Sequence, residues 1–279
     1  MDEHFRAFTF VDRIHAIEPG VRLRGSYAIP SGLTSFPAAL VAEAVGQLAA
    51  LGAMAAMEFK SRPVAGLAGS IEILAPVQPG QMLELAAELE SVDTEAVAYA
   101  GTAQVDGRPV IRLEQCVGPM MPLEEFDDPE ALRQRFALLQ GPGAGPGAFG
   151  GVGSFALEQT SGEAGQSLCA MLHVPTTAPF FADHFPRRPV FPGTLLMNAN
   201  LELAAALATQ LPPPPDGDWR LRGLSDVKLR AFTPPGEILE IEARLSQLST
   251  QAATVSVTTR KNKRVISSAR VQLAVEERS

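Results

Sequence analysis

The spacing of apolar residues changes period along the chain. From Phe36 to Phe59 the sequence is apolar on nearly every face, rich in Ala and Gly, and interrupted by Glu43, Gln47 and Glu58. A helix of this kind has to be covered on most sides. Its polar interruptions fit the buried helix of a soluble protein better than a membrane span. Further on the period falls to two: Ile238, Glu240, Glu242 and Arg244 alternate with Leu239, Ile241, Ala243 and Leu245. Several such strands are predicted, separated by Pro-Gly turns. Residues 127–140, DDPEALRQRFALLQ, predict a capped amphipathic helix from about Asp128 to Gln140. Residues 141–153, GPGAGPGAFGGVG, have the composition of a linker, since Gly and Pro disfavour both helix and sheet.

The linker separates two related halves. SFPAALVAEA resembles PVFPGTLLMNA, with Pro37 and Pro192 standing 155 apart (192 − 37), as do Glu43 and Asn198 (198 − 43). APVQPGQMLELAAEL resembles TPPGEILEIEARL, with Gly80 and Gly236 156 apart (236 − 80), and Val110 and Val265 in RPVIRLEQ and KRVISSAR are again 155 apart (265 − 110). A period this long is a duplicated domain and not a solenoid. The expected division is 1–140, a linker at 141–153, and 154–279. Each half predicts an antiparallel sheet curled around one helix, an α+β arrangement, and two copies side by side would continue as one sheet.

Composition narrows the function. With 46% hydrophobic and 19% charged residues, the 279-residue chain can fill a core. A formal net charge of −8 disfavours nonspecific nucleic-acid binding. The first ten residues carry Asp2, Glu3, His4 and Arg6 and no apolar signal segment, so the expected location is cytoplasmic. Cys116 and Cys169 fall in apolar runs and read as small hydrophobes. His4, His15 and His173 read as structural or solvent-facing. No glycine-rich phosphate loop or metal-spaced cluster is present, so no metal or nucleotide cofactor is expected.

The chemistry is concentrated in FFADHFPRRPVFPG, residues 180–193, a stiff Pro-rich loop that delivers the chain to a helix start at Pro192-Gly193. The first N–H groups of a helix have no intrahelical acceptor and favour negative charge. An imidazole beside them, here His184, can remove a proton α to a carbonyl while the N–H groups stabilise the oxygen that becomes enolate-like. Gly193 lets a ligand approach the backbone closely.

HFPRRPVFPG resembles the H-F-P-G-R-P-V-x-P-G loop of the hot-dog-fold 3-hydroxyacyl-acyl-carrier-protein dehydratases, the FabZ-like family. FTFVDRIHAIEPG, residues 8–20, is similar to that family's N-terminal strand, and EAVGQ, residues 43–47, to its helix motif E-A-M-A-Q. The resemblance runs through almost the whole chain, once per half, and implies a double hot dog: two tandem hot-dog domains in a pseudo-dimer. In the family the His and the acid come from opposite subunits. The resemblance therefore implies that His184 is the base, Glu43 the acid and the Gly193 N–H the donor to the thioester carbonyl. Gln47, Phe185 and Pro192 support them. Asn198 stands where the family has its Glu, and Ile29 is the ungapped match to the His, so a second site would be degenerate. Polyketide-synthase dehydratases also use a double hot dog with one site, but place the His in the first half.

The resemblance implies a substrate carried on the phosphopantetheine of an acyl carrier protein or of coenzyme A, in fatty acid or polyketide biosynthesis. Arg187, Arg188, Arg220, Arg222, Lys228 and Arg230 could dock an acidic carrier, or form an ordinary solvated face. Association of pseudo-dimers is open. A hot-dog thioesterase and a non-catalytic acyl-binding or assembly subunit are the competing readings.

Overall fold

In each half the alternating segments form strands that wrap the apolar run, which forms a helix. The computed structural model describes residues 4–145, 149–153, 155–214 and 217–277. The first half contains β1 (Arg13–Glu18), β2 (Arg22–Ala28), α1 (Ala38–Ala56), β3 (Ser61–Pro63), β4 (Leu67–Ile73), β5 (Met82–Val92), β6 (Ala96–Val105), β7 (Arg108–Pro122) and α2 (Pro129–Gln140). The second contains β8 (Leu157–Glu163), β9 (Ser167–His173), α3 (Gly193–Ala208), β10 (Gly217–Leu229), β11 (Ile238–Leu248), β12 (Ala252–Lys261) and β13 (Arg264–Glu277).

All the described strands belong to one antiparallel assembly, in the order β1-β2-β5-β6-β7-β4-β10-β13-β12-β11-β9-β8, with β3 paired to β7. The order is a palindrome of equivalent strands about the β4–β10 seam, where Leu224 faces Ile71 and Val227 faces Ala68. Two curled sheets thus become one, and a single apolar core runs through both halves. Twelve of the nineteen residues of α1 are buried, so this helix, although long and apolar enough to cross a bilayer, is the core of the first half. Helix α2 starts as its sequence predicts: Asp128 caps it by accepting the Glu130 N–H at 2.9 Å, with Pro129 in the first turn.

The linker is more than a spacer. Residues 146–148 lie outside the described residues, but Phe149 is 4% exposed and packs against Phe8, Phe10 and Phe36. Phe155, just beyond it, packs against Phe180 and Phe191. Apolar anchors at this spacing tie the crossing to the core, which the Gly/Pro composition masks.

The duplication is clear in the elements, with one correction. Strands β5, β6 and β7 match β11, β12 and β13 at an offset of 156 (238 − 82, 252 − 96, 264 − 108), and α1 matches α3 at 155 (193 − 38). Strand β2, however, matches β9 at 145 (167 − 22). The Ile29 N–H donates to the Gln81 carbonyl at 2.9 Å, and the Val174 N–H donates to the Glu237 carbonyl at the same distance. Ile29 is therefore the counterpart of Val174, not of His184. The second half carries ten extra residues (155 − 145) between strand and helix. The first half lacks the whole loop that presents a His, which an ungapped comparison cannot reveal.

Candidate active site

The extra residues of the second half form a short 3-10 turn, Pro179–Ala182, followed by a tight loop into α3. The loop is fixed from both sides of His184. The Asp183 carboxylate accepts the backbone N–H groups of Phe5, Ala7 (2.7 Å) and Phe8 (2.6 Å), clamping the N-terminal segment onto the loop. Burial pushes the Asp183 carboxyl up from its usual range, and the N–H bonds to Phe8 and Phe5 oppose that shift. On the other side His184 and Val190 bond reciprocally: the Val190 N–H donates to the His184 carbonyl at 3.0 Å, and His184 Nδ1 lies 3.2 Å from the Val190 carbonyl. A carbonyl only accepts, so Nδ1 carries the proton and Nε2 is left with its lone pair. Phe185 stacks on the imidazole with ring centroids 4.1 Å apart, and Phe8 meets it edge-on at 5.9 Å.

Desolvation lowers the His184 pKa, and the charge of Arg62 acts in the same direction; the Glu43 carboxylate and the bond to Val190 oppose it. Burial favours the uncharged imidazole. A neutral Nε2 lone pair at neutral pH is the state a general base needs.

Glu43 reaches the same place from α1. Its Oε1 accepts from Gln47 Nε2 at 3.0 Å and its Oε2 from Thr194 Oγ1 at 2.7 Å. Gln47 lies one turn on and is itself fixed, accepting the Phe10 N–H at 2.8 Å and donating to the Phe8 carbonyl at 3.0 Å. Thr194 is in the first turn of α3, so its bond to Glu43 joins the two halves across the site. A hydroxyl can accept as readily as donate, so Thr194 can hold Glu43 with or without its proton. The repeat shows why only one side is built: the residue matching Thr194 in the first half is Ala39, which has no hydroxyl (194 − 155). Asn198 instead bonds Glu202 at 2.8 Å along α3. Ile29 is 2% exposed and takes part in the core.

His184, Glu43, Gln47, Phe185, Gly193 and Thr194 all line one cavity of about 260 Å³. Among the described residues the Gly193 N–H has no acceptor, as the first turn of a helix allows, while the next bonds of the turn close on the Pro192 carbonyl. Away from the polar groups the cavity runs along Ala42, Gly46, Ala50 and Met54 of α1 beneath Val97 and Leu113 of the sheet, an apolar slot. Pro192 is buried as the N-cap of α3 and sets the helix start.

The cationic residues do not form one patch. Arg187 bonds the Glu124 carbonyl at 3.0 Å, and Arg188 pairs with Glu125 at 3.3 Å while lying over Phe232, a cavity-lining ring. Arg230 follows Lys228 at the same end of β10. Arg220 and Arg222 pair with Glu276, and at about 3.3 Å per strand residue they lie on the order of 25 Å from Arg230. The sequence cluster is split by the length of the strand that carries it. Among the described residues no three His, Cys, Asp or Glu side chains gather as a metal site. Cys116 and Cys169 are free thiols, one in each half.

The comparisons with known proteins fit this geometry. Residues 159–270 match the ApeI-like family model, described as ApeI dehydratase. The chain also superposes on a protein described as an oleoyl thioesterase from Lactobacillus plantarum, with a TM-score of 0.61 and 10% identity over 92% of this chain and 97% of that one. An acyl-ACP thioesterase from Bacteroides thetaiotaomicron gives 0.54 at 12% identity, over 90% and 97%. The tesB protein of Mycobacterium avium subspecies paratuberculosis gives 0.54 at 13%, over 94% and 96%. The chain is a double hot dog. The matched dehydratase model covers the half of the double hot dog that carries His184, whereas the superpositions establish the fold of both halves. The family match over that half supports a hot-dog enzyme.

Thr194, Arg62 and Asp183 were not singled out from the sequence. Thr194 had a signal, since it follows the Pro192-Gly193 helix start and has no hydroxyl counterpart in the first half. Arg62 and Asp183 gave none, because their partners are far away in sequence.

Proposed function

We propose that the protein removes water from a 3-hydroxyacyl thioester to give the trans-2-enoyl thioester. The observation that carries this reading is the convergence of His184 and Glu43, from opposite halves, on one apolar cavity beside the Gly193 N–H. The thioester carbonyl accepts from Gly193. His184 Nε2 takes the Cα proton, the C–H electron pair forms a carbon–carbon double bond, and the carbonyl pair moves to oxygen. As that pair returns, Cα and Cβ become doubly bonded and the Cβ–O bond breaks. Glu43 supplies the proton with which the hydroxyl leaves as water, and the proton gained by His184 is returned to Glu43 by way of solvent, which resets both groups. The apolar slot along α1 takes the acyl chain. Docking of an acidic acyl carrier protein is assigned to the end of the molecule bearing Arg187, Arg188, Lys228 and Arg230.

A synthetic 3-hydroxyacyl pantetheine thioester and its saturated analogue test the reading. Enoyl product is expected from the first, and little thiol release from either. Glu43→Gln and His184→Ala should each lower kcat by about 10²-fold or more, as for loss of a positioned acid or base. Thiol release from the saturated analogue without enoyl formation would assign hydrolysis instead.

A further inference from the structure

The dehydration scheme leaves unused a cavity-lining cation that, among the described residues, has no hydrogen-bond or ion-pair partner. Arg62, on the short strand β3, lines the cavity with its guanidinium withdrawn from bulk solvent. The guanidinium stacks on Phe185 at 3.9 Å and lies 5.9 Å from Phe126. Among the described residues it makes no hydrogen bond or ion pair, and Nε is buried without a partner. The neighbouring carboxylates are already engaged. Asp127 holds His4 at 3.2 Å and accepts the Asp128 N–H at 2.7 Å, while Glu43 holds Gln47 and Thr194. Burial pulls the Arg62 pKa down to about 10, partly offset by Asp127 and Glu43, so the group keeps its charge at neutral pH.

A desolvated cation with free donors is expensive to maintain unless an oxygen or an anion meets it. A cavity meant only for an acyl chain would be better lined by Met or Leu at this position. The cation sits on the face of Phe185, whose ring also stacks on the imidazole, and Arg62, Phe185 and His184 all line the cavity that must take the substrate. In that place one atom gains negative charge during reaction: the thioester oxygen.

We propose that Arg62 is a further catalytic residue, whose guanidinium donates to the thioester carbonyl oxygen and balances the negative charge that develops there, beside the Gly193 N–H. The inference rests on the substrate being a thioester, as in the proposed function, but not on which reaction follows. When His184 takes the Cα proton, the carbonyl pair moves to oxygen. When water adds to the carbonyl in a hydrolysis, the same pair moves to the same oxygen. Arg62 transfers no proton in either case.

The test is a kcat and KM comparison of Arg62→Met, Arg62→Gln and Arg62→Lys with the wild-type full chain, on the 3-hydroxyacyl pantetheine thioester. It is run above the acid limb of the rate profile, where His184, in a cavity shared with Glu43, Asp127 and Asp183, is unprotonated in every variant. Arg62→Met is expected to lose about 10²-fold in kcat, the usual effect of removing an oxyanion donor, with KM changed by less than about threefold. Arg62→Lys should recover part of the loss. If the Met variant fails to fold, the Gln variant carries the test. Exchange of the Cα proton of the saturated thioester into deuterated water gives a second readout, because it needs the enolate and not the hydroxyl, and it should fall in parallel.

Wild-type kcat in folded neutral variants would overturn the assignment. So would a rise in KM at constant kcat, which would make Arg62 an acyl-binding contact, or a loss that vanishes above the acid limb, which would confine its role to the titration of His184. If the wild-type protein releases thiol without enoyl product, dehydration fails and Arg62 is judged on the hydrolysis rate by the same criteria.

Discussion

Single residues set the chemistry through what surrounds them. His184 has its Nδ1 proton directed at Val190 and its Nε2 left free, and burial, together with Arg62, keeps the imidazole pKa below the ordinary 6.5. The sign of the resulting pH dependence follows. An unprotonated base is required, so on its acid limb, which lies below pH 6.5, kcat/KM should rise with pH through the folded pKa. In the unfolded chain the same residue takes up its proton near 6.5. The neutral imidazole therefore contributes stability that is complete above pH 6.5 and is lost as pH falls through the lower folded value. Melting curves of wild type and His184→Gln between pH 5 and 8 should diverge in this sense; parallel curves would place the imidazole in water. Thr194 acts on the acid. Thr194→Val keeps the shape but removes one bond to Glu43, and kcat should fall about tenfold, the rate equivalent of roughly 1.4 kcal/mol, which is within the worth of an ordinary hydrogen bond. An unchanged kcat would show that Gln47 alone positions Glu43.

Between elements, the decisive contacts are those that bring one half to the other. The β4–β10 seam makes one sheet of two, and it depends on close backbone approach. At Gly223, with φ +156°, an added Cβ would lie 2.1 Å from the Ile71 carbonyl oxygen. Gly223→Ala must therefore push the strands apart or bend β10. We expect a loss on the order of 2 kcal/mol or more, read as a melting temperature lower by at least a few degrees. A melting temperature equal to wild type would show that the seam can part locally without penalty. A second link is the clamp of Asp183 on residues 5–8, which fixes both the base loop and, through Phe8 and Phe10, the amide of Gln47. His184 and Glu43 are thus positioned partly by the same short segment of chain.

At the scale of the whole molecule, duplication has been followed by division of labour. The second half has the ten-residue extension that carries His184, and Thr194 to reach across. The first has Glu43 on a helix whose counterpart places Asn198. Both members of the pair come from one chain, so mixing full-length Glu43→Gln with full-length His184→Ala should give no more activity than the sum of the two alone. Recovery would mean that the site assembles between chains.

The sequence by itself determined the duplication, the apolar helices and alternating strands and the capped helix at Asp128, and it singled out His184, Glu43, Gln47 and Gly193, which the fold brings to one cavity. These features depend on periodicity or on neighbours within a few residues. Tertiary structure alone decided three others. The match of Ile29 to Val174 depends on strand pairing, because an insertion leaves no mark in an ungapped comparison. The separation of Arg220 and Arg222 from Arg230 depends on the extension of β10. Arg62 owes its environment to Phe185 and Asp127, residues distant in the chain, because desolvation belongs to the packed molecule and has no sequence period.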